Sequence, residues 1–151
     1  MTNKQRLSIK NVDPTAYQAV LPLQKYVNSA RLDAGLVPLL DIRASQLNGC
    51  AWCLDMHTDD AREAGVDQRR IDLVAAWHEA GDLFSEREQA ALALTEQMTL
   101  LSRGGVSDAV WERVRDAFDE QQIVQLIMAI SVINVWNRMN VTARTSLPAK
   151  P

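Results

Sequence analysis

Nowhere does this chain alternate apolar and polar residues for long enough to make a half-buried strand. Its apolar residues recur three and four positions apart, between residues that start and stop helices. Asp13-Pro14 supplies an N-cap and a first-turn proline whose missing N–H costs nothing there. Val20, Leu21, Leu23, Tyr26 and Val27 carry that helix to about Arg31, with Pro22 expected to kink it or delay its start. Pro38 is expected to open the next, with Leu39, Leu40, Ile42 and Leu47 apolar and a stop at Asn48-Gly49. A third then bears Cys50, Cys53, Met56 and His57 as far as Ala64 and ends at Gly65. Asp67 caps a short helix through Ile71, Leu73, Val74 and Trp77. Ser85 and Glu88 have the spacing of a capping box ahead of the Ala-rich run Ala90 to Leu101, which Gly104-Gly105 breaks. Ser107 caps a helix through Val110, Trp111, Val114 and Phe118, and Glu120 to about Arg144 makes the longest one.

The reading is therefore an all-α fold, a compact domain of about six to seven helices. Its 151 residues fit one domain, placed at 13–144 between flexible ends at 1–12 and 145–151. Apolar residues make up 47% of the chain, enough for a sizeable core, and 6 Gly with 5 Pro are too few for a β-sandwich or a disordered chain. The last helix is apolar on more than one face, with Trp136 and Met139 adding bulk. That fits a central core helix and a subunit interface equally well. The net charge of −3 carries no basic block, which argues against a nucleic-acid partner, and no apolar run approaches a membrane span. The opening Met1-Thr2-Asn3-Lys4-Gln5-Arg6 leads into no apolar signal segment, and the expected location is cytoplasmic.

The two cysteines stand three apart, too close to staple a secreted scaffold, and such a pair suits redox or metal chemistry. Cys50, Cys53 and His57 fall at i, i+3 and i+7 and share one helix face. With Asn48-Gly49 breaking the chain before it, Cys50 is expected in the first turn, where unpaired N–H groups and the helix dipole favour a thiolate. A histidine one turn past Cys53 can take or relay a thiol proton, and the spacing permits a disulfide, so one thiol can attack and the other resolve. Zinc is the competing use, with His57 and His78 completing a two-Cys, two-His set. Structural zinc ligands, however, usually come as two separated pairs, and His57 follows Cys53 too closely. Two buried, inert cysteines are the plainer alternative.

The run Ile42 to Thr58, with Ser45-Gln46-Leu47-Asn48-Gly49 leading into Cys50-Ala51-Trp52-Cys53 and His57, closely resembles the AhpD-like alkylhydroperoxidase branch of the carboxymuconolactone decarboxylase family. Leu83 to Glu88, Ala90 to Glu96 and Ile133 to Arg138 resemble it too, so the likeness covers roughly residues 13 to 142. It implies an all-α fold and a homo-oligomer built from dimers, as a trimer or hexamer. It further implies reduction of a hydroperoxide through a cysteine sulfenic acid and a Cys50–Cys53 disulfide, with no bound cofactor. By the same likeness Cys53 attacks the peroxide, Cys50 resolves it and His57 assists proton transfer. The electron donor is an external dithiol, on a lipoyl-bearing or thioredoxin-like partner.

One position departs from the pattern. Peroxidases of the family commonly carry a relay glutamate where this chain has Pro38, which cannot ionise. Asp41 and Glu96 are the candidate replacements, against the simpler readings of Asp41 as a solvated helix residue and Glu96 as a structural one. Asp55 falls on another helix face and His78 near a helix end, so both are expected at the surface. Trp52 either screens the thiols or simply packs, and Asn134 with Arg138 either line the pocket entrance or hold a subunit contact. The expected activity is thiol-dependent hydroperoxide reduction. The alternatives are cofactor-free decarboxylation of a carboxymuconolactone and thiol–disulfide exchange in a stress protein with little peroxidase activity.

Overall fold

A computed structural model describes residues 4–149, which form eight α-helices, three 3-10 turns and no strand among the described residues. The helices are α1 (Ile9–Val12), α2 (Pro14–Asn28), α3 (Leu36–Asn48), α4 (Ala51–Glu63), α5 (Gln68–Leu73), α6 (Glu86–Thr99), α7 (Asp108–Ala117) and α8 (Glu120–Ala143). The all-α fold is as the sequence indicates.

Local chemistry accounts for most of the boundaries. The Asp13 carboxylate accepts the N–H groups of Thr15 and Ala16, with Pro14 following at the first helical position. Pro22 lies inside α2 without ending it. Ser85 and Glu88 form the reciprocal capping box at the start of α6, and Asp119 and Gln122 form a second one at α8. Helix α3 begins at Leu36, two residues before the expected Pro38, because Gly35 makes the turn into it. Gly35 has φ +83°, and a Cβ there would lie 2.6 Å from a Val66 methyl carbon, so a side chain is excluded twice over. The helix after Asp67 tightens into 3-10 turns beyond Leu73.

Helix α8 packs against α2, α3, α4, α6 and α7, which answers why it is apolar all round. Leu126 and Ile130 are fully buried in the main core with Leu39, Leu40, Leu92, Leu94 and Phe84. Each such side chain contributes about 1.5–3 kcal/mol through removal from water. Within one chain α8 is thus the central core helix.

The segment expected to be flexible at 1–12 includes a helical turn. Arg6 donates its N–H to the Ala143 carbonyl at 2.9 Å, and the Gln5 side chain accepts the Ser146 N–H. These bonds lash the N-terminal segment to the C-terminal end of α8. Expectations for residues 1–3, 150 and 151 lie outside the described residues. No helix among the described residues is long and apolar enough to cross a membrane.

Candidate active site

Helices α3, α4 and α8 meet at the cysteine pair, and the contact is polar. Asn48, the last residue of α3, donates its amide to the side-chain oxygens of Asn134 at 3.0 Å and Asn137 at 2.8 Å on α8. Asn137 donates in turn to the Ser45 hydroxyl, and Asn134 to the Thr99 hydroxyl on α6. Arg138 donates to the side chain and carbonyl of Asn134. Ser45 and Asn137 are fully buried, so each of these bonds satisfies a group that would be costly alone. The network explains why Ser45-Gln46-Leu47-Asn48-Gly49 and Ile133 to Arg138 occur in one chain: together they fix the end of α3. Arg138 braces Asn134 within this network.

Gly49, at φ +66°, then turns the chain into Cys50. Cys50 stands one residue before α4 as its N-cap, outside the first turn where the sequence places it. Its sulfur accepts the Cys53 N–H at 3.4 Å. Both cysteines are free and buried, with their sulfurs 2.7 Å apart. The hydrogen bond from the Cys53 thiol, helped by the Cys53 N–H, Asn137 and His57 and opposed by burial, brings Cys50 down to about 7. Cys53 moves the other way, well above an ordinary thiol, because it donates to Cys50, is buried and neighbours that charge. Asn140 also donates to the Cys53 sulfur, at 3.5 Å. When the pair gives up a proton, the charge is best placed on Cys50.

His57 is buried on α4, one turn past Cys53. Its Nδ1 lies 3.0 Å from Asp60 and 3.5 Å from Asp41, whereas its Nε2 is buried with no hydrogen-bond partner. Two carboxylates at Nδ1 hold the proton there and leave Nε2 as the nitrogen free for chemistry. Asp41 is not the solvated helix residue that the simpler reading makes it. It is 7% exposed, and burial, with Asp60 adding and His57 opposing, lifts its carboxyl to about 6. Asp60 was missed by the sequence reading. Its i+3 position after His57, which puts the two on one face of α4, was a usable signal.

Asp41, His57 and Asp60 line a cavity of about 820 Å³ whose other walls include Tyr17, Trp52, Met56, Trp136 and Met139. A smaller pocket of about 220 Å³ reaches Cys50 between Gly49, Trp52, Val141 and Arg144. Trp52 and Asn140 line both. Thr145 lines both as well, and Cys53 lines neither.

Glu96, the other relay candidate, is engaged elsewhere. One carboxylate oxygen accepts from Arg43 and from the Trp77 indole, both at 2.8 Å, and the other meets His78 at 3.1 Å. These bonds outweigh burial and hold its pKa below the ordinary value. Glu96 lines neither cavity, and its three donors make it a structural tie between α3, α6 and the turn after α5. His78 stacks on Trp77 with its side chain 57% exposed, in this cluster and not with His57. Asp55 is half-buried.

The carboxymuconolactone decarboxylase family model matches residues 14–97, more than half of the chain. The uncharacterized protein YdfG of Bacillus subtilis (strain 168) is 40% identical over 137 residues, spanning 91% of this chain and 92% of its own. A protein of unknown function from Agrobacterium tumefaciens, suggested to be the antioxidant defence protein AhpD, has a crystal structure that matches with a TM-score of 0.93. It is 35% identical, over 97% of this chain and 100% of its own. The debrominase Bmp8 shares the fold with a TM-score of 0.82 at 17% identity, over 92% of this chain and 74% of its own. Family model, close relative and fold agree, and the chain belongs to the carboxymuconolactone decarboxylase family, in its AhpD-like branch.

Proposed function

We propose that the protein is a thiol-dependent hydroperoxide reductase in which Cys53 attacks, Cys50 resolves and His57 supplies the proton. The observation that carries this reading is the buried, unpartnered Nε2 of His57. The ring that carries it borders the large cavity, one helical turn past Cys53, with Cys50 the second free thiol beside it. A buried nitrogen without a partner costs stability and is expected where a ligand completes the bond.

The chemistry balances with these residues. As Cys53 attacks the outer peroxide oxygen, its proton passes to the unprotonated Nε2 of His57. The O–O bond breaks, the departing alkoxide takes that proton from Nε2, and Cys53 becomes a sulfenic acid. Cys50, as the thiolate, then attacks the Cys53 sulfur, hydroxide leaves and takes up a proton from the solvent to become water, and a disulfide forms. An external dithiol, on a lipoyl-bearing or thioredoxin-like protein, returns the pair to two thiols. Asp41 takes the place of the relay glutamate, one helical turn after Pro38 and against the same imidazole. The setting in this reading is a homo-oligomer, which the family likeness favours, in the cytoplasm, which the close-set cysteine pair favours.

The decarboxylase alternative fits less well. A carboxymuconolactone is an anion, and the cavity at His57 already holds the carboxylates Asp33, Asp41 and Asp60 against Lys10. Thiol–disulfide exchange uses the same cysteines but gives no use to the orphaned Nε2.

Stopped-flow oxidation of the reduced protein by cumene hydroperoxide tests the proposal. The expected result is loss of both thiols per peroxide and complete loss of turnover in Cys53→Ser. Full turnover in Cys53→Ser sinks the assignment.

A further inference from the structure

One wall of the large cavity comes from outside the helical core. Gln5, Ser8, Ile9 and Lys10 border it, all from the arm at residues 5–12 that precedes α2. Gln5, Ser8 and Ile9 are half-buried, and the rest of the arm is exposed. Its ties are polar. Arg6 gives its N–H to the Ala143 carbonyl at 2.9 Å and its guanidinium to the Thr142 carbonyl at 3.1 Å, and the Gln5 side chain accepts the Ser146 N–H at 3.2 Å. Lys10 sets its ammonium 5.7 Å from the centroid of the Tyr17 ring, which packs on Trp136 at 5.4 Å. With no fully buried side chain, the arm adds little to the core, and what it covers is the cavity.

We propose that this arm is the specificity-determining element of the site, walling the cavity around hydroperoxides with a bulky apolar body and giving no advantage to hydrogen peroxide. This rests on the proposed peroxide chemistry and names the substrates it selects. The cavity, at about 820 Å³, far exceeds what hydrogen peroxide fills, and Tyr17, Met56, Trp136 and Met139 give it apolar surface. Ile9 adds the arm's own apolar side chain to that wall. A substrate with an aromatic or branched alkyl body gains wherever the arm covers it. Removing about 55 Å² of apolar surface from water is worth roughly tenfold in binding. Hydrogen peroxide has no such surface, so for it the arm is neutral.

The test loosens the arm and leaves the thiols alone. Gln5→Ala combined with Arg6→Pro removes the hydrogen bonds to Ala143, Thr142 and Ser146 together, because proline has neither an N–H nor a guanidinium. Stopped-flow oxidation of the reduced thiols is then followed with cumene hydroperoxide and with hydrogen peroxide. In the double variant the second-order rate constant is expected to fall roughly tenfold for cumene hydroperoxide and to stay within about twofold for hydrogen peroxide. Ile9→Ala, with the arm still tied, is expected to lose roughly threefold with cumene hydroperoxide alone. Equal losses with both peroxides, or none with cumene hydroperoxide, overturn the proposal. A second readout needs no turnover: binding of cumyl alcohol followed by tryptophan fluorescence, since Trp52 and Trp136 line the cavity. Its Kd is expected to rise roughly tenfold in the double variant. That rise supports the arm as the wall of a site for bulky apolar ligands even where wild-type protein fails to consume peroxide, a failure that counts against the peroxidase reading alone. Equal affinity in both proteins, or no binding to the wild type, refutes the proposal.

Discussion

Two clusters in this fold pair a histidine with carboxylate, and in the sequence each supplies a candidate proton relay. Around Glu96, every strong hydrogen-bonding valence is used: Arg43, Trp77 and His78 all converge on one carboxylate, and its pKa is held down. Around His57 the balance is reversed. Two carboxylates crowd one nitrogen, the other nitrogen has no partner, and the buried Asp41 is lifted to about 6. A satisfied cluster stabilises and has nothing left with which to react. A frustrated one costs stability and keeps a bond in reserve. Completeness of hydrogen bonding, more than residue type, separates a brace from a candidate site.

The contrast is most open to attack through the rate. His57→Gln is expected to slow thiol oxidation by cumene hydroperoxide by roughly 10²- to 10⁴-fold, the usual worth of a general acid or base. Glu96→Gln is expected to leave that rate within about twofold, since a residue outside the proton path contributes nothing to it. Equal losses would erase the distinction.

Stability against pH sharpens it next, because the two carboxyls have opposite signs. Asp41 has a raised folded pKa, so the folded state holds its proton more tightly than the unfolded one, and stability falls as pH rises from 3.8 to about 6. A displacement of that size in a buried group corresponds to on the order of 3 kcal/mol, and Asp41→Asn should remove that slope. Glu96 is depressed, so its contribution is present above its unfolded value and is lost as pH falls through the folded one. Urea denaturation of wild type, Asp41→Asn and Glu96→Gln across pH 3 to 8 reads both slopes. Slopes of the same sign would refute the assignment.

The smallest effect is expected at His78. With its side chain 57% exposed, its contact with Glu96 is screened by water, and His78→Ala should change stability by no more than about 0.5 kcal/mol and leave oxidation rates alone. Thermal melts and the same stopped-flow traces check it.

Much of this was legible in the residues. Asp13-Pro14, the Ser85–Glu88 box, Ser107 and the glycines 49 and 65 are local devices, so they mark helices without tertiary information. The cysteine pair with His57 was visible for the same reason. What stayed hidden depends on contacts between distant segments. Gly35 starts α3 because Val66 crowds it, and nothing near Pro38 reports that. Asp41 looks solvated until α4 covers it. Glu96 looks available until Arg43 and Trp77 close on it. The place of α8 in the core follows from the other helices around it, not from its own composition.

Cys50 caps α4 with the same sulfur that carries the charge of the pair. Redox poise follows from that double duty. Whatever stabilises the thiolate stabilises the reduced form and raises the reduction potential, so a disulfide here is readily reopened by a dithiol. Closing it also exchanges a charged acceptor for a neutral one at the Cys53 N–H, and the helix start loses part of its cap. A disulfide formed as proposed would therefore be a short-lived stage, with the first turn of α4 favouring return to the two thiols.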